Sequence, residues 1–306
     1  MDKQGIGEFT EDEINVMEVF FALWSSRIMI ITMVAAFAVG SVFYSLSIPN
    51  NFTSSSLLKM SDDSSNSSSS SNLDMIGSIA GFNFAGAGSS RSSLVIATIE
   101  SRDFLQHLLT FDKVLPSIVA FKSYDKESEN LIYDESIYDE KTGIFTDDIE
   151  KKPTFYKTFI KYKNMINITT TNTGYIYLTV THQSPMVAYE LITLIINEVN
   201  SLSRLRVLAE SKNSLSFLYK QLAETNQIEI KNSINQIIES EFRRQMLAEV
   251  QKNYLISPLD KPFIPEIKSS PNRARICVLG TILGFFLSIL IALVNYYGFS
   301  TRQFKE

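Results

Sequence analysis

Two uncharged apolar runs constrain this 306-residue chain more than any other feature. Residues 28–48 hold no charged side chain over 21 positions, and residues 276–298 hold none over 23. Crossing a hydrocarbon core about 30 Å thick takes about 18 to 20 apolar residues. Buried helices of water-exposed domains seldom stay uncharged so long. The runs therefore predict transmembrane helices at 28–48 and 276–298. The segment before the first run is acidic, and the run is longer than the apolar core of a signal peptide, so a retained anchor is expected. Trp24, Tyr296 and Tyr297 stand at run ends, where amphipathic rings favour the interface.

Two spans place both tails on one side and residues 49–275 on the other. Lys3, Arg27, Arg302 and Lys305 lie in the tails, while Lys59, Lys261, Lys268, Arg273 and Arg275 flank the spans from within. That balance sets no orientation under the positive-inside rule. Size does so instead. A middle segment of 227 residues between tails of 27 and 8 is expected outside the cytoplasm.

Composition removes several function classes. The net charge is −5 with no basic domain, which argues against nucleic acid as a partner. Cys277 is the sole cysteine, and His107 and His182 are the two histidines. An internal disulfide, a cysteine zinc site and HExxH chemistry are excluded. The expectation is no catalytic constellation, no metal and no cofactor.

Along the chain, Thr10-Glu11-Asp12-Glu13 is a capping-box pattern ahead of Ile14, Met17, Phe20 (or Phe21) and Trp24. A short interfacial helix and an earlier start to the span both fit it. Residues 51–60 read as a strand. Residues 61–72 contain eight serines and no apolar side chain, so a loop is expected. Gly77, Gly81, Gly86 and Gly88 lack the Gly-Lys-Ser/Thr that would make a phosphate loop. Residues 93–121 read as helical, offering Leu94, Ile99, Leu105, Leu108, Leu109 and Val114 to a core. Residues 125–150 carry ten carboxylates and read as a solvated loop. Pairs such as Asp134-Glu135 and Asp139-Glu140 hint at glycosidase-type acid–base work, but adjacency does not place them across a cleft. Residues 154–163 suggest an amphipathic helix. A hairpin follows, turning at Thr171-Asn172-Thr173-Gly174, with Ile176, Leu178 and Val180 on one face.

Ser184-Pro185 opens a long helical stretch, serine as cap and proline at the first position. The 72 residues 186–257 include neither glycine nor proline. One stripe runs Leu191, Ile195, Val199, Leu202, Leu205, Leu208, Leu215, Leu218, Leu222. Another runs Ile230, Ile234, Ile237, Phe242, Met246, Val250. A single helix would reach about 108 Å. The 18 residues between Ser257 and Ile276 cover at most about 65 Å. A helical hairpin breaking near Thr225-Asn226-Gln227 and projecting about 50 to 60 Å is therefore expected. Its apolar stripe predicts packing against identical copies. Pro258, Pro262, Pro265 and Pro271 predict an extended strut into the second span. Gly280 and Gly284 form GxxxG there, and Ala36 and Gly40 share that spacing in the first span.

The expected fold class is α+β: two transmembrane helices flanking an α/β base with a long projecting helical hairpin. Segments are 1–27 tail, 28–48 span, 49–183 base, 184–257 long helix or hairpin, 258–275 proline-rich connector, 276–298 span and 299–306 tail. In order and spacing the chain resembles the Wzz-type chain-length determinants, the polysaccharide co-polymerases. Asp12-Glu13-Ile14 through Trp24 leads into a span and Ile48-Pro49. Residues 174–180 lead into His182-Gln183-Ser184-Pro185 and a long helix. Pro258, Pro262, Pro265, Pro271, Asn272 and Arg273 run into Gly280 and Gly284.

The resemblance implies a bacterial inner-membrane protein with a periplasmic base and cytoplasmic termini, assembled as a homo-oligomer. It implies a non-enzymatic regulator acting with a membrane polymerase on lipid-linked glycan, foremost O-antigen of lipopolysaccharide. Capsule or exopolysaccharide is the alternative glycan. Related proteins carry a kinase, and residues 299–306 hold no Walker motif. A membrane-anchored sensor, or a hydrolase using the acidic segment, are the competing classes. Shape-setting and oligomerisation roles are expected of Pro258, Pro262, Pro265, Pro271, Gly280, Gly284, Leu202, Leu205, Leu208, Leu215, Leu218 and Leu222.

Overall fold

The computed structural model describes residues 17, 23–61, 87–125, 130–148 and 151–303. In chain order its elements begin with α1 (Arg27–Ser47), β1 (Phe52–Met60), α2 (Ala87–Ile99), α3 (Arg102–Leu108) and α4 (Val114–Val119). Next come β2 (Phe121–Tyr124), β3 (Leu131–Tyr133), β4 (Tyr138–Asp139), β5 (Ile144–Phe145), α5 (Phe155–Met165), β6 (Ile166–Thr170) and β7 (Ile176–His182). The chain ends with α6 (Pro185–Glu224), α7 (Ile228–Val250), β8 (Ile256–Asp260) and α8 (Arg273–Gln303). Two compact units result, Met1–Asn50 with Ser269–Glu306, and Asn51–Lys268.

The larger unit is built on an antiparallel sheet of order β6-β7-β1-β8. Alternation along β1 buries Phe52, Ser54, Ser56 and Leu58. Two of these are hydroxyls on the core face, and each has a partner, as buried polar groups require. Ser54 Oγ donates to the Phe263 carbonyl at 2.8 Å and Ser56 Oγ to the Asp260 carbonyl at 2.6 Å. In β7 the side chains of Ile176, Leu178 and Val180 are fully buried, while Tyr177 on the opposite face is exposed. The β6–β7 turn uses Gly174 at φ +83°, a conformation that costs glycine little. Edge strand β8 contains Pro258, where a missing amide donor is tolerated.

Helices cover the core face. The first half of α6 buries Val187, Ala188, Leu191, Ile192, Ile195, Ile196 and Val199. From α5, Tyr162 is fully buried and its hydroxyl donates to the Ile99 carbonyl at 3.0 Å. Ser101 and Thr154 cap α3 and α5 by accepting from Phe104 N and Lys157 N.

Two expectations need correction. Residues 93–121 form three short helices, because Ser101 starts α3 and Lys113, at φ +70°, starts α4. Leu94 points to solvent, since the buried face of α2 carries Val95 and Ile99. The acidic 125–150 segment is not a plain loop within the described residues: it holds β3, which pairs with β2, and the ribbon β4–β5. Tyr133 meets Tyr138 edge-on at 5.4 Å and Tyr138 meets Phe145 at a tilt at 4.8 Å, a small aromatic cluster among the carboxylates. The Thr10-Glu11-Asp12-Glu13 cap lies outside the described residues. So do residues 62–72, Gly77, Gly81 and Gly86, while Gly88 lies in α2.

The passage from sheet to long helix is an elbow built on His182. Its Nδ1 accepts from Ser184 N at 2.9 Å, so Nε2 carries the hydrogen and donates to the Ser117 carbonyl at 3.2 Å. Ser184 in turn caps α6 by accepting from Val187 N, with Pro185 at the first helical position. Phe121 meets the imidazole edge-on at 4.5 Å. Burial pushes the His182 pKa down to about 4, outweighing the two backbone hydrogen bonds. An unfolded histidine titrates near 6.5, so the unfolded chain takes up this proton first as pH falls. The stabilisation is complete above pH ~6.5 and is lost toward pH ~4, roughly 3 kcal/mol in all. Thermal unfolding of the detergent-solubilised chain should therefore weaken from pH 7 to pH 4.5, and His182→Gln should flatten that dependence.

Candidate functional site: the helical hairpin and the paired spans

Two surfaces of the chain stand out. The first is the hairpin of α6 and α7. Forty residues make α6 about 60 Å long. It ends at Thr225, and α7 begins after Gln227, so the break falls at the expected triplet. The outer half of α6 has no sheet to lie on. Leu215 there is buried against Ile234 and Ile238 of α7, with Leu218 and Leu222 packed alongside.

A polar seam fixes the register of the two helices. Ser211 Oγ donates to Glu241 Oε2 at 2.8 Å. Arg244 Nη2 donates to Glu210 Oε2 at 3.0 Å, and its Nη1 lies 3.8 Å from Glu241. Burial opposes the Arg244 charge, but Glu241 and Glu210 outweigh it and hold its pKa above the usual value.

Sequence periodicity placed some of these residues and missed others. Of the α6 stripe, Leu202 packs on the main core, Leu208 is half-buried and Leu205 is 57% exposed. On α7 the buried partner is Ile238 and not Ile237, because Ile234 to Ile238 is the four-residue step that faces α6. Ile230, Ile237, Phe242, Met246 and Val250 are left exposed. Helix α7 stops at Val250, short of the expected Ser257, since Tyr254 and Ile256 turn into the core.

The residue that makes this turn is Asn200. It sits buried on the apolar face of α6 and accepts from Leu255 N at 2.8 Å and Ile256 N at 2.9 Å. Its Nδ2 donates to the Ile256 carbonyl at 2.9 Å and the Ile196 carbonyl at 3.0 Å. One amide side chain thus docks the returning chain onto α6. Its signal in the sequence is an asparagine following Ile195, Ile196 and Val199 on a buried stripe.

The second surface is the helix pair α1 and α8. Both are long and apolar enough to cross a membrane, with mean hydropathy 2.0 and 2.7 in their most apolar stretches. Only 6% and 17% of those stretches is buried, unlike core helices. Gly280 and Gly284 face α1. A Cβ at Gly280 would fall 2.5 Å from Ser41 Cβ, and one at Gly284 2.5 Å from Phe37 Cβ. Ser288 and Ala292 continue the four-residue spacing and are fully buried. The glycines let the backbones approach, as small residues do between membrane helices. Gly40, which shares the motif spacing, has open space around it. Asn272 caps α8 by accepting from Arg275 N at 3.3 Å, and Arg273 donates to Asn50 at 3.2 Å beside the α1 end.

The proline-rich connector is less free than expected: Pro258 is a sheet residue, Pro265 is buried, and Pro262 and Pro271 are half-buried. The acidic pairs do not form a cleft. Asp134 accepts from Ser136, and Asp139 from Thr142 and Lys141 N. These local turn bonds hold both carboxyls below their ordinary range, which is unsuited to donating a proton. A recess of about 240 Å³ between α4 and α6 is lined by Phe111, Lys113, Val114, Val187, Glu190 and Leu194 among others. Among the described residues no three His, Cys, Asp or Glu side chains gather as metal ligands.

Residues 12–110 match the family model Wzz, "Chain length determinant protein". Over this third of its length the chain is similar to the Wzz family. A solved "full-length bacterial polysaccharide co-polymerase" is similar at 11% identity and a TM-score of 0.38, covering 95% of this chain and 99% of its own. No curated protein sequence matches the chain. The matched segment spans α1, β1, α2 and α3. The hairpin, the Asn200 clamp and the glycines of α8 lie beyond it.

Two outcomes test the geometry. Gly280→Val and Gly284→Val should each lower the stability of the helix pair by about 1 to 3 kcal/mol through overpacking, whereas Gly40→Val should change it little. Melting of the purified chain in mild detergent reads the difference. Asn200→Ala strands two backbone amides and a carbonyl, at a cost of about 2 to 4 kcal/mol. Limited proteolysis should then open the chain between Val250 and Ile256 first.

Proposed function

We propose that this chain is a Wzz-type chain-length determinant that sets the length of O-antigen on lipopolysaccharide, without making or breaking bonds itself. In this reading it works as a homo-oligomer in the bacterial inner membrane, termini cytoplasmic and the large unit periplasmic, beside a membrane polymerase that extends lipid-linked glycan. The Wzz match over residues 12–110 carries the proposal. Two membrane-length helices and a long hairpin with exposed apolar side chains support it.

The exposed face supports the assembly. Leu205, Phe217, Ile230, Ile237, Phe242 and Met246 are large apolar side chains open to water on the hairpin. Large apolar side chains left open to water in this number are candidates for an interaction surface. Leu215, Leu218 and Leu222 serve the hairpin itself, and the prolines 258, 262, 265 and 271 with Gly280 and Gly284 set how its return strand enters the second span.

Deleting the gene should broaden or shift the ladder of surface O-antigen on a gel; an unchanged length distribution overturns the reading, and a changed capsule or exopolysaccharide alone reassigns the glycan. Ile237→Asp with Met246→Asp should reduce particle mass in mild detergent and shorten or broaden the glycan ladder. Leu215→Asp should instead unfold the hairpin.

A further inference from the structure

The connector between β8 and α8 displays apolar side chains in a way that ordinary packing does not explain. Phe263, Ile264 and Ile267 are 52%, 45% and 80% exposed. The backbone beneath them is fixed: Ser54 holds the Phe263 carbonyl, Ser56 holds the Asp260 carbonyl, and Pro265 is buried. The segment is therefore pinned to β1 with its oily side chains turned out. Together with Thr53 it walls an open cleft of about 510 Å³. Exposed Lys261 and Lys268 bracket this patch, against a single acid, Glu266.

Covalent reach says what lies nearby. Ile267 is six residues before Arg273, the first residue of α8, and Thr53 is six residues after Ser47, the last of α1. Six extended residues span at most about 21 Å. Both walls of the cleft are thus tethered within that distance of a membrane-length helix. Apolar side chains flanked by lysines are the composition that seats in a headgroup layer, the lysines attracted by anionic lipid.

We propose that residues 261–268 form an interfacial shelf, with Phe263, Ile264 and Ile267 seated among the headgroups and upper acyl chains of the bilayer and Lys261 and Lys268 on lipid phosphates. This rests on reading α1 and α8 as spans. The shelf sets the depth and tilt of the sheet directly, because its carbonyls are held by core-face serines of β1.

Trp24 is the sole tryptophan, so single-tryptophan reporters follow from Trp24→Phe. Phe263→Trp and Ile267→Trp are placed in that background, and the full chain is reconstituted in 3:1 phosphatidylcholine–phosphatidylglycerol vesicles. The expected result is at least twofold quenching by lipids brominated high on the acyl chain. Deep bromines and aqueous iodide should quench less. Strong iodide quenching without bromolipid quenching overturns the shelf. Protection from both also overturns it and points to a second copy as the cover. Leu290→Trp, in α8, is the control: deep-bromine quenching there confirms the span, and its absence removes the span reading and the shelf with it.

Discussion

The pairing of β1 with β8 is the interaction on which the larger unit depends. β1 starts five residues after α1 ends, and β8 is the last strand before α8. Laid antiparallel, with Met60 opposite Ile256 and Leu58 opposite Pro258, they tie the start of the unit to its finish. Everything between, some two hundred residues of helix, ribbon and hairpin, must fold as one closed excursion. The serines of β1 reinforce the closure from the core side, where a hydroxyl left unpaired would cost stability.

That closure explains where the long helix stops being part of a globule. From Pro185 to about Asn200, α6 lies over β1 and β7 and its apolar side chains have a sheet to bury against. Beyond Asn200 the sheet is gone, and α7 takes over as partner through Leu215, Ile234 and Ile238. Asn200 stands at this handover and spends all its hydrogen-bonding capacity on the chain that returns. Further out, Ser211, Glu241, Arg244 and Glu210 form a register mark that a purely oily seam would lack. A slip of one turn would separate these charges from their partners.

Much of this was legible in the residues themselves. Uncharged length gave both membrane-length helices, alternation gave β1 and β7, Ser184-Pro185 gave the start of α6, and the limit on chain reach gave the break at Thr225-Asn226-Gln227. What escaped was tertiary. Periodicity cannot choose between Ile237 and Ile238, because either completes a helical stripe and only the partner helix decides. Nor can it show that Leu205 faces away, that Gly280 and Gly284 meet Ser41 and Phe37 while Gly40 meets nothing, or that Pro258 is a strand residue. In residues 125–150 the density of carboxylates masked three aromatics, Tyr133, Tyr138 and Phe145, that join β3 to the β4–β5 ribbon. The Wzz match covers the first third of the chain, so the hairpin had to be understood from its own contacts.

Because α6 runs without interruption from His182's elbow to Thr225, it is a stiff shaft shared by two separate cores. Bending or twisting applied near Leu222 has no hinge at which to dissipate before it reaches Ile192 beneath the sheet. A load on the tip is thereby passed along α6 to the strands at its root.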